Sequence, residues 1–300
     1  MDVDGEMPEM RAPASHFAAR GGALWVAEAD GVVVGVIGTA PEGAAGNWEV
    51  HRLYVARALR GSGLAANLLD MAEGYARTEG ATSLSLHSDT RFDRAHRFYE
   101  KFGYLRSGPV RVVADLSNTL EFGYAKPVDG VVAMDAAAAA SAEFALAEVL
   151  RACVLGGASV SFMPPFPIEE ARAFWRRMAK QVAAGERILL GGYADGALVG
   201  TVAVDLGLPQ NQPHHGAVQK LLVHPRGRRH GLARALMRRA EQEALAAGRT
   251  LLTLDTARGS AAEALYRDEN WTEVGVIPRY ALNPDGSWCD TVVFYKHLAA

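Results

Sequence analysis

The chain has 300 residues, of which 49% are hydrophobic and 22% are charged, and its formal net charge is -3 at pH 7. This length is about twice that of an average domain, and the composition is that of a globular protein, so two folded domains are expected. The slightly acidic balance argues against a polybasic surface of the kind that binds nucleic acid or anionic membranes.

The first half of the chain alternates strands with helices. Apolar residues at helical or strand spacing, together with glycines that end the helices, mark each element. In chain order we predict a hairpin (residues 24–37), a strand (48–55), an Arg-x-x-Gly-x-Ala turn (60–65), a helix (64–79), a strand (83–86) and a second helix whose end lies in residues 97–104.

The second half repeats this series in the same register. Here we predict a strand (131–134), helices (143–155 and 168–184), a hairpin (188–205), a strand (216–223), the turn (228–233), a helix (232–247), a strand (250–254), a helix ending in 264–271 and a hairpin with its turn at 283–286. So many segments in one order indicate an internal duplication. We expect domains 1–128 and 129–300. The first domain is shortened at its start, because it has no counterpart of the first strand and helix of the second.

The turn between strand and helix has the chemistry of an anion site. The first backbone N–H groups of a helix have no partner within the helix, and the macrodipole makes this end positive. Gly63 and Gly231 let the backbone approach a ligand, while Arg60 and Arg228 add positive charge. Each turn therefore predicts a pyrophosphate site.

A dinucleotide-binding fold is the competing interpretation, because Gly61, Gly63 and Ala66 match its glycine spacing. That fold needs an acidic residue about twenty positions further on, where the first half has Ser83 and His87. The second half does not keep the glycine spacing at all. The dinucleotide interpretation therefore fails in both copies.

Both halves resemble the GNAT N-acetyltransferase superfamily, whose signature Gln/Arg-x-x-Gly-x-Gly/Ala follows the fourth strand. The similarity covers nearly the whole chain. The second half is most similar to the tabtoxin-resistance type, through the segments 211–214, 220–225, 250–256 and 294–296. The resemblance implies an α/β (α+β) tandem fold. Each domain would have a mixed, mostly antiparallel sheet that is splayed between its fourth and fifth strands and flanked by helices.

The resemblance also implies that acetyl-CoA is the cofactor and lies in the opening of the splayed sheet. Strand backbone would pair with the pantetheine at Leu221 and Val223 in the second half, and at Leu53 and Val55 in the first. The turns would hold the pyrophosphate, through Arg228, Arg229, His230, Gly231, Leu232 and Ala233 in the second half and through Arg60, Gly61, Ser62, Gly63, Leu64 and Ala65 in the first.

The resemblance further suggests catalytic residues. The superfamily often has its general acid at the end of the short helix, where Tyr266 and Tyr99 stand, although a tyrosine there can also be core packing. Its base is often a glutamate of the fourth strand, and this column holds Ala217 in the second half and Glu49 in the first. In the second half Asp255, at the end of the fifth strand, is the remaining carboxylate placed to accept a proton, unless it only caps the following turn.

Phe162 and Phe166 lie where the superfamily builds the wall of its substrate pocket, so we expect them to contact the acceptor. We interpret His214 and His215 as exposed side chains, because no further ligands at metal spacing accompany them, and we predict no metal. Neither cysteine has a partnered base in the sequence. We therefore expect direct attack in a ternary complex, without a covalent acyl-enzyme.

The sequence thus predicts an acetyl-CoA-dependent N-acetyltransferase (an acyltransferase) acting on a primary amine of a small molecule, such as an antibiotic or an amino-acid-like toxin. The second half is expected to carry most of the activity. A non-catalytic protein that binds CoA or another ligand, and a protein-lysine acetyltransferase, remain open as alternatives. Two isolated cysteines, Cys153 and Cys289, with an acidic N-terminus and no run long enough to span a bilayer, predict a cytoplasmic protein without nucleic-acid or membrane partners.

Overall fold

The computed structural model describes residues 11–113 and 118–299. They form two compact units. The N-terminal unit holds the residues up to Tyr99 and Gly103–Asp129, and the C-terminal unit holds Glu100–Phe102 and the residues from Gly130 onward. No helix within the two described ranges is both long and apolar enough to cross a membrane.

The described part of the first half contains the helices α1 (Pro13–Ala19), α2 (Leu64–Thr78) and α3 (Asp93–Lys101) and the strands β1 (Ala23–Ala29), β2 (Val32–Pro41), β3 (Asn47–Val55), β4 (Ser83–Asp89), β5 (Leu105–Arg106), β6 (Arg111–Val112) and β7 (Leu120–Pro127). These strands form one sheet in the order β1-β2-β3-β4-β7-β5, with β6 paired to β7. All neighbours are antiparallel except β3 and β4, which are parallel.

The described part of the second half contains the helices α4 (Ala136–Ser141), α5 (Glu143–Leu155), α6 (Ile168–Ala183), α7 (Leu232–Ala246) and α8 (Ala261–Asp268) and the strands β8 (Gly130–Ala133), β9 (Arg187–Ala194), β10 (Ala197–Asp205), β11 (His215–Val223), β12 (Leu251–Ala257), β13 (Thr272–Leu282) and β14 (Trp288–His297). The sheet order is β13-β14-β12-β11-β10-β9-β8. Only β11 and β12 are parallel neighbours among these strands.

The two sheets have the same connectivity. The series β1-β2-β3-β4-β7-β5 corresponds strand by strand to β9-β10-β11-β12-β14-β13, and the single parallel pair stands at the same place in each described sheet. The predicted tandem α+β fold, with a mixed and mostly antiparallel sheet in each copy, is therefore confirmed.

The start of the first half differs from the sequence-based expectation in one respect. The described residues contain no counterpart of β8, but a helix, α1, is present. Pro13 begins it, and Phe17 anchors it by packing over Gly38, where an added Cβ would come within 2.4 Å of the ring. Seven residues are too few to show a helical period, which is why the helix was missed.

The helices α2 and α7 pack on their sheets in the same way. Each buries one apolar stripe, formed by Leu68, Leu69 and Ala72 in α2 and by Leu236, Met237 and Ala240 in α7. Each also carries one glutamate that pairs with a lysine of the sheet. Glu73 lies 2.9 Å from Lys126 of β7, and Glu241 lies 2.7 Å from Lys296 of β14. The duplication therefore includes a helix-to-sheet ion pair.

Candidate functional site

The sheet of each unit opens between its two parallel strands. In the C-terminal unit β11 and β12 pair only over three residues, His215–Ala217 with Leu251–Thr253, although β11 continues to Val223. In the N-terminal unit β3 and β4 likewise pair only over Asn47–Glu49. Beyond these points β3 and β11 pair with strands on one side only, among the described residues. The predicted splay is thus present in both copies, and it exposes strand backbone to a ligand.

A bulge marks the strand at this opening in both units. Lys220 has a left-handed backbone, with φ of 53°, and Arg52 has φ of 58° at the matching position. Gln219 and Leu222 pair with β10 residues that are only two positions apart, so β11 carries one extra residue there. Sequence reasoning missed the bulge, because Lys and Arg have no preference for the left-handed region. The expected pantetheine contacts Leu53 and Leu221 follow directly after it.

The turn before α7 has the shape expected of an anion cradle. Gly231 is the N-cap residue, with φ of 74° and no side-chain cap, and Arg229 two positions earlier is also left-handed, with φ of 69°. Added side-chain atoms at Gly231 would meet nothing within 4 Å, so its backbone conformation is what requires glycine. Arg228, Arg229 and His230 are exposed, whereas Leu232 is buried.

Leu232 therefore differs from the other residues predicted to contact the cofactor. Its side chain packs in the core, where it lies over Gly192 and Gly200 of β9 and β10. Only its backbone N–H remains available at the helix N-terminus. Leu64 occupies the matching place and packs over Gly35. Ala233 and Ala65, the next residues, are half-buried.

The turn before α2 repeats this geometry with two glycines. Gly61 has φ of 93° and the N-cap residue Gly63 has φ of 92°, so left-handed residues again alternate with ordinary ones. Ser62 is already engaged, since its Oγ donates to the carbonyl of Leu59 at 2.8 Å and accepts from the N–H of Leu64 at 3.4 Å. In the first cradle the backbone N–H of Leu64 therefore already has an acceptor, so one amide fewer is available to bind an anion.

Tyr266 and Tyr99 are buried at matching positions. Tyr266 is 4% exposed and packs against Trp271 and Phe294, with ring centroids 6.0 and 5.9 Å away. Burial, reinforced by the negative charge of Asp255, raises the pKa of Tyr266 above its usual value. Burial raises the pKa of Tyr99 to about 12. Both phenols therefore keep their protons at neutral pH, as a proton donor must.

A cavity of about 230 Å³ lies at the opening between β11 and β12. Its lining comprises Ala217, Val218, Gln219, Thr253, Leu254, Asp255, Ile277, Tyr280, Thr291 and Val293. Asp255 is exposed and accepts a hydrogen bond from Thr291 Oγ1 at 3.1 Å. Arg258 pairs with Asp290 at 3.7 Å. The hydrogen bond of Asp255 therefore goes to β14, another strand that lines the cavity.

The N-terminal unit has a different polar group at its opening. Glu49 is 8% exposed, and its Oε1 lies 2.9 Å from His87 Nδ1 and 3.9 Å from His51 Nδ1. Glu42 completes a set of three potential metal ligands, since one ligand atom each of Glu42, Glu49 and His51 lie within 4.8 Å of one another. Arg20 already forms an ion pair with Glu42. The absence of a metal remains a prediction.

The aromatic segment before α6 surrounds a lysine. Phe166 is 3% exposed, beneath Phe162 at a ring distance of 4.7 Å, so only Phe162 is partly accessible. Lys220 Nζ lies 5.5 Å from the ring of Phe162 and donates to the carbonyl of Val160 at 3.0 Å. Burial lowers the pKa of Lys220, which the negative charge of Asp255 counteracts. Sequence reasoning did not single out Lys220, because its side chain reaches a loop 60 residues away.

The two adjacent histidines differ from each other. His214 is exposed as expected, but His215 is half-buried. Its Nδ1 lies 2.9 Å from Gln212 Oε1, and its Nε2 lies 2.8 Å from Thr253 Oγ1. His215 therefore bridges the start of β11 to β12, a long-range contact that sequence spacing cannot reveal.

Comparison with known proteins supplies the family. The model of the acetyltransferase (GNAT) family matches residues 3–104 and 157–269. Solved structures with a similar fold include an N-acetyltransferase from Staphylococcus aureus Mu50, 17% identical over 57% of this chain and 99% of that chain, with a TM-score of 0.48. A GNAT acetyltransferase from Streptococcus pneumoniae is 22% identical over 56% of this chain and 99% of that one, with a TM-score of 0.47. A Salmonella typhimurium protein determined with its cofactor acetyl-CoA is 18% identical over 57% and 95%, with a TM-score of 0.48. The two matched segments cover more than half of the chain, which therefore belongs to the GNAT acetyltransferase family, whose acetyl donor is acetyl-CoA, and carries its fold twice.

Proposed function

We propose that this protein is an N-acetyltransferase that transfers the acetyl group of acetyl-CoA to a primary amine of a small molecule, such as an antibiotic or an amino-acid-like toxin. The observation that carries the proposal is the exposed carboxylate of Asp255 in the lining of a cavity between β11 and β12. A phenol of the same unit, Tyr266, is buried, and its burial raises its pKa. Direct attack in a ternary complex is the expected route.

The cofactor site of the C-terminal unit fits a pyrophosphate in shape and charge. The left-handed residues Arg229 and Gly231 turn the chain into the N-terminus of α7, whose first amides carry no side-chain cap. Strand backbone at Leu221 and Val223 would hold the pantetheine. Acetyl-CoA, when bound, supplies an acetyl group activated as a thioester. The matching residues of the N-terminal unit would bind a second molecule.

The acceptor amine must lose a proton before it can attack. An alkylamine has a pKa near 10, so only about one molecule in a thousand is neutral at pH 7, a penalty of roughly 4 kcal/mol. Asp255 is exposed at the cavity, where its charge attracts an ammonium group and accepts its proton directly or through water. Tyr266 retains its own proton, would donate it to the departing thiolate and would regain one from the nitrogen of the product.

The size of the cavity favours a small acceptor. About 230 Å³ holds an amine of amino-acid size, whereas a peptide lysine would need an open groove on the surface. Both cysteines are free thiols, which supports a reducing compartment such as the cytoplasm. The net charge of -3 supports neither a nucleic-acid nor an anionic membrane partner.

An assay of thiol release from acetyl-CoA, with a panel of small primary amines, tests the proposal on the full chain. We expect turnover that falls by at least about tenfold in Asp255→Asn, because the amide cannot take a proton. Asp195→Asn, an exchange in the turn between β9 and β10, is the matched control and should keep wild-type turnover.

The rival is a protein that binds CoA without catalysis. Thermal stabilisation by CoA, without turnover of any amine, would favour that interpretation. Calorimetric titration with CoA distinguishes one site from two per chain. The proposal requires that at least one CoA molecule binds per chain.

A further inference from the structure

We propose that the N-terminal unit carries a second acetyl-transfer centre, in which His87 takes the proton of the acceptor amine. Glu49 positions the imidazole of His87 and stabilises its positive charge once it is protonated. This centre is distinct from the one at Asp255 and uses a different base. It rests on the proposed function only in taking acetyl-CoA as the donor.

The pair stands at the mouth of the opening between β3 and β4. Glu49 pairs with Ser85 in the last rung of the parallel ladder, and His87 follows two residues later on the same face of β4. Glu49 Oε1 lies 2.9 Å from His87 Nδ1. The carboxylate is 11% exposed and the imidazole 28% exposed, so the ring reaches solvent while its partner is held inside.

This contact determines which ring nitrogen can act. A carboxylate only accepts hydrogen bonds, so Nδ1 of neutral His87 carries the hydrogen and Nε2 carries the lone pair. The cross-strand neighbour of His87 is Gly123, and Nε2 lies 3.8 Å from the place that a Cβ would take there. A side chain at Gly123 is excluded, because its Cβ would lie 2.6 Å from the carbonyl oxygen of Ser107. No side chain from position 123 therefore covers the lone pair.

A second histidine does not take the place of His87. His51 Nδ1 lies 3.9 Å from the same carboxylate oxygen, too far for a hydrogen bond. Its Nε2 is buried and has no hydrogen-bond partner among the described residues. Burial lowers the pKa of His51, although the negative charge of Glu49 opposes this shift.

The same places in the C-terminal unit hold other residues. By strand register Glu49 corresponds to Ala217 and His87 corresponds to Asp255. The C-terminal centre thus has a carboxylate on β12 and no titratable side chain at the matching position of β11. The N-terminal centre has an imidazole on β4, hydrogen-bonded to a carboxylate on β3.

The proton transfer balances without any further reactant. The ammonium of the acceptor gives one proton to His87 Nε2, which leaves a neutral amine and an imidazolium ion. Glu49 stabilises that positive charge, and the exposed ring later returns the proton to water. An imidazole ordinarily titrates near pH 6.5, closer to neutrality than a carboxyl group near 4, and is therefore the better matched base. As the C–N bond forms and the C–S bond breaks, Tyr99, buried with its pKa raised to about 12, gives its proton to the departing thiolate and regains one from the nitrogen of the product. One proton is released overall, through His87.

Labelling with diethyl pyrocarbonate tests whether the Nε2 lone pair of His87 is accessible, without knowledge of the acceptor. This reagent acylates unprotonated imidazole nitrogens, and mass spectrometry of the full chain locates the product. We expect His87 to react at least about tenfold faster than His51, because Nε2 of His51 is buried. The comparison is a fair one, since the two side chains are similarly exposed, at 28% for His87 and 24% for His51. Glu49→Gln should slow the labelling of His87 severalfold. Equal rates at the two histidines would overturn the proposal.

Kinetics test the catalytic role. The full chain with Tyr266→Phe and Asp255→Asn isolates the turnover of the N-terminal unit. We expect His87→Ala in this background to lower kcat by about a hundredfold, with an unchanged KM for acetyl-CoA, and added imidazole to restore at least part of it. Glu49→Gln should lower kcat by about tenfold, and the neighbouring exchange Ser85→Ala should have no effect.

The outcomes separate this inference from the proposed function. If the wild-type chain turns over an amine but the Tyr266→Phe/Asp255→Asn chain does not, the N-terminal unit is inactive and only the inference is overturned. If His87→Ala lowers activity but imidazole restores none of it, a role in proton transfer is likewise rejected. A wild-type chain without turnover on any amine counts against both.

Discussion

Arg228 donates a hydrogen bond from its Nε to the backbone carbonyl oxygen of Val223, at 3.1 Å. Arg60 makes the same bond to Val55 in the first copy, at 3.4 Å. The leading arginine of the motif therefore ties the cradle turn back to the end of the preceding strand. It brings positive charge to the turn and also positions the strand and helix ends relative to each other.

We predict that Arg228→Lys weakens the binding of acetyl-CoA to the C-terminal unit by about tenfold, equivalent to about 1.4 kcal/mol. A lysine keeps the charge but cannot provide the planar Nε donor while its ammonium points elsewhere. Isothermal titration measures the affinity. Arg226→Lys, an exposed arginine two residues earlier, is the matched control and should leave the affinity unchanged. An unaltered affinity in Arg228→Lys would show that the bond to Val223 does not shape the cradle.

In the His87→Ala chain, which removes the proposed contribution of the N-terminal unit, replacement of Tyr266 by phenylalanine is expected to lower kcat by about 10² to 10³ and to leave the KM for acetyl-CoA within about threefold. The reason is that the variant loses the proton that the phenol donates. Tyr193→Phe is the control for the loss of a buried hydroxyl, since Tyr193 is 1% exposed in the same unit. The reverse pattern, with full activity in Tyr266→Phe and none in Tyr99→Phe, would assign catalysis to the other unit.

The raised pKa of Tyr266 also predicts the pH dependence of the rate. Because its pKa lies above the usual value of 10, the phenol stays protonated throughout the range from pH 6 to 10. The rate should therefore not decline through phenol ionisation as the pH rises across that range. A measured fall in kcat near pH 8 that disappears in Tyr266→Phe would contradict this assignment.

Local sequence signals predicted the turn and the order of the elements well. The glycines of the two cradles and the helix ends are each marked within a few neighbouring residues, whereas the splay of the sheet was expected only from the family resemblance. The bulge at Lys220 was not predictable, because its left-handed backbone is imposed by the sheet on a residue that does not favour it. The partners of Lys220 and His215 were hidden for another reason, since they are loop and strand atoms far away in the sequence.

Asn270 has a left-handed backbone, which has a measurable consequence for stability. It has φ of 61°, and Gly103, its counterpart in the first half, has φ of 84°. Both residues follow the short helix at a position where the chain must turn left-handed. We expect Asn270→Gly to change the free energy of unfolding by less than about 0.5 kcal/mol, and Asn270→Ala to lower it by about 1 kcal/mol. Chemical denaturation of the two variants measures the difference, and equal stabilities would contradict it.

The duplicated ion pairs predict unequal effects in the two units. Lys126 and Glu73 have side chains only 2% and 7% exposed, whereas Lys296 and Glu241 are 21% and 15% exposed. Removing one partner of a buried pair leaves an uncompensated charge in the interior, which costs about 3–5 kcal/mol. Arg77, 3.7 Å from Glu73, offsets part of that penalty. We therefore expect Lys126→Met to lower the free energy of unfolding by about 3 kcal/mol, near the lower end of this range.

Lys296→Met is the matched exchange at the more exposed copy. Water can solvate Glu241 after the lysine is removed, so the expected loss is on the order of 1–2 kcal/mol. Urea denaturation, followed separately for each variant, measures both values. The double exchange Glu73→Gln/Lys126→Met distinguishes charge from packing, because it removes the buried charge while it keeps side chains of similar size. It should recover stability relative to Lys126→Met alone. If it does not, the buried amine of Lys126 stabilises the unit through its contact with the ring of Tyr104, at 4.5 Å, rather than through Glu73.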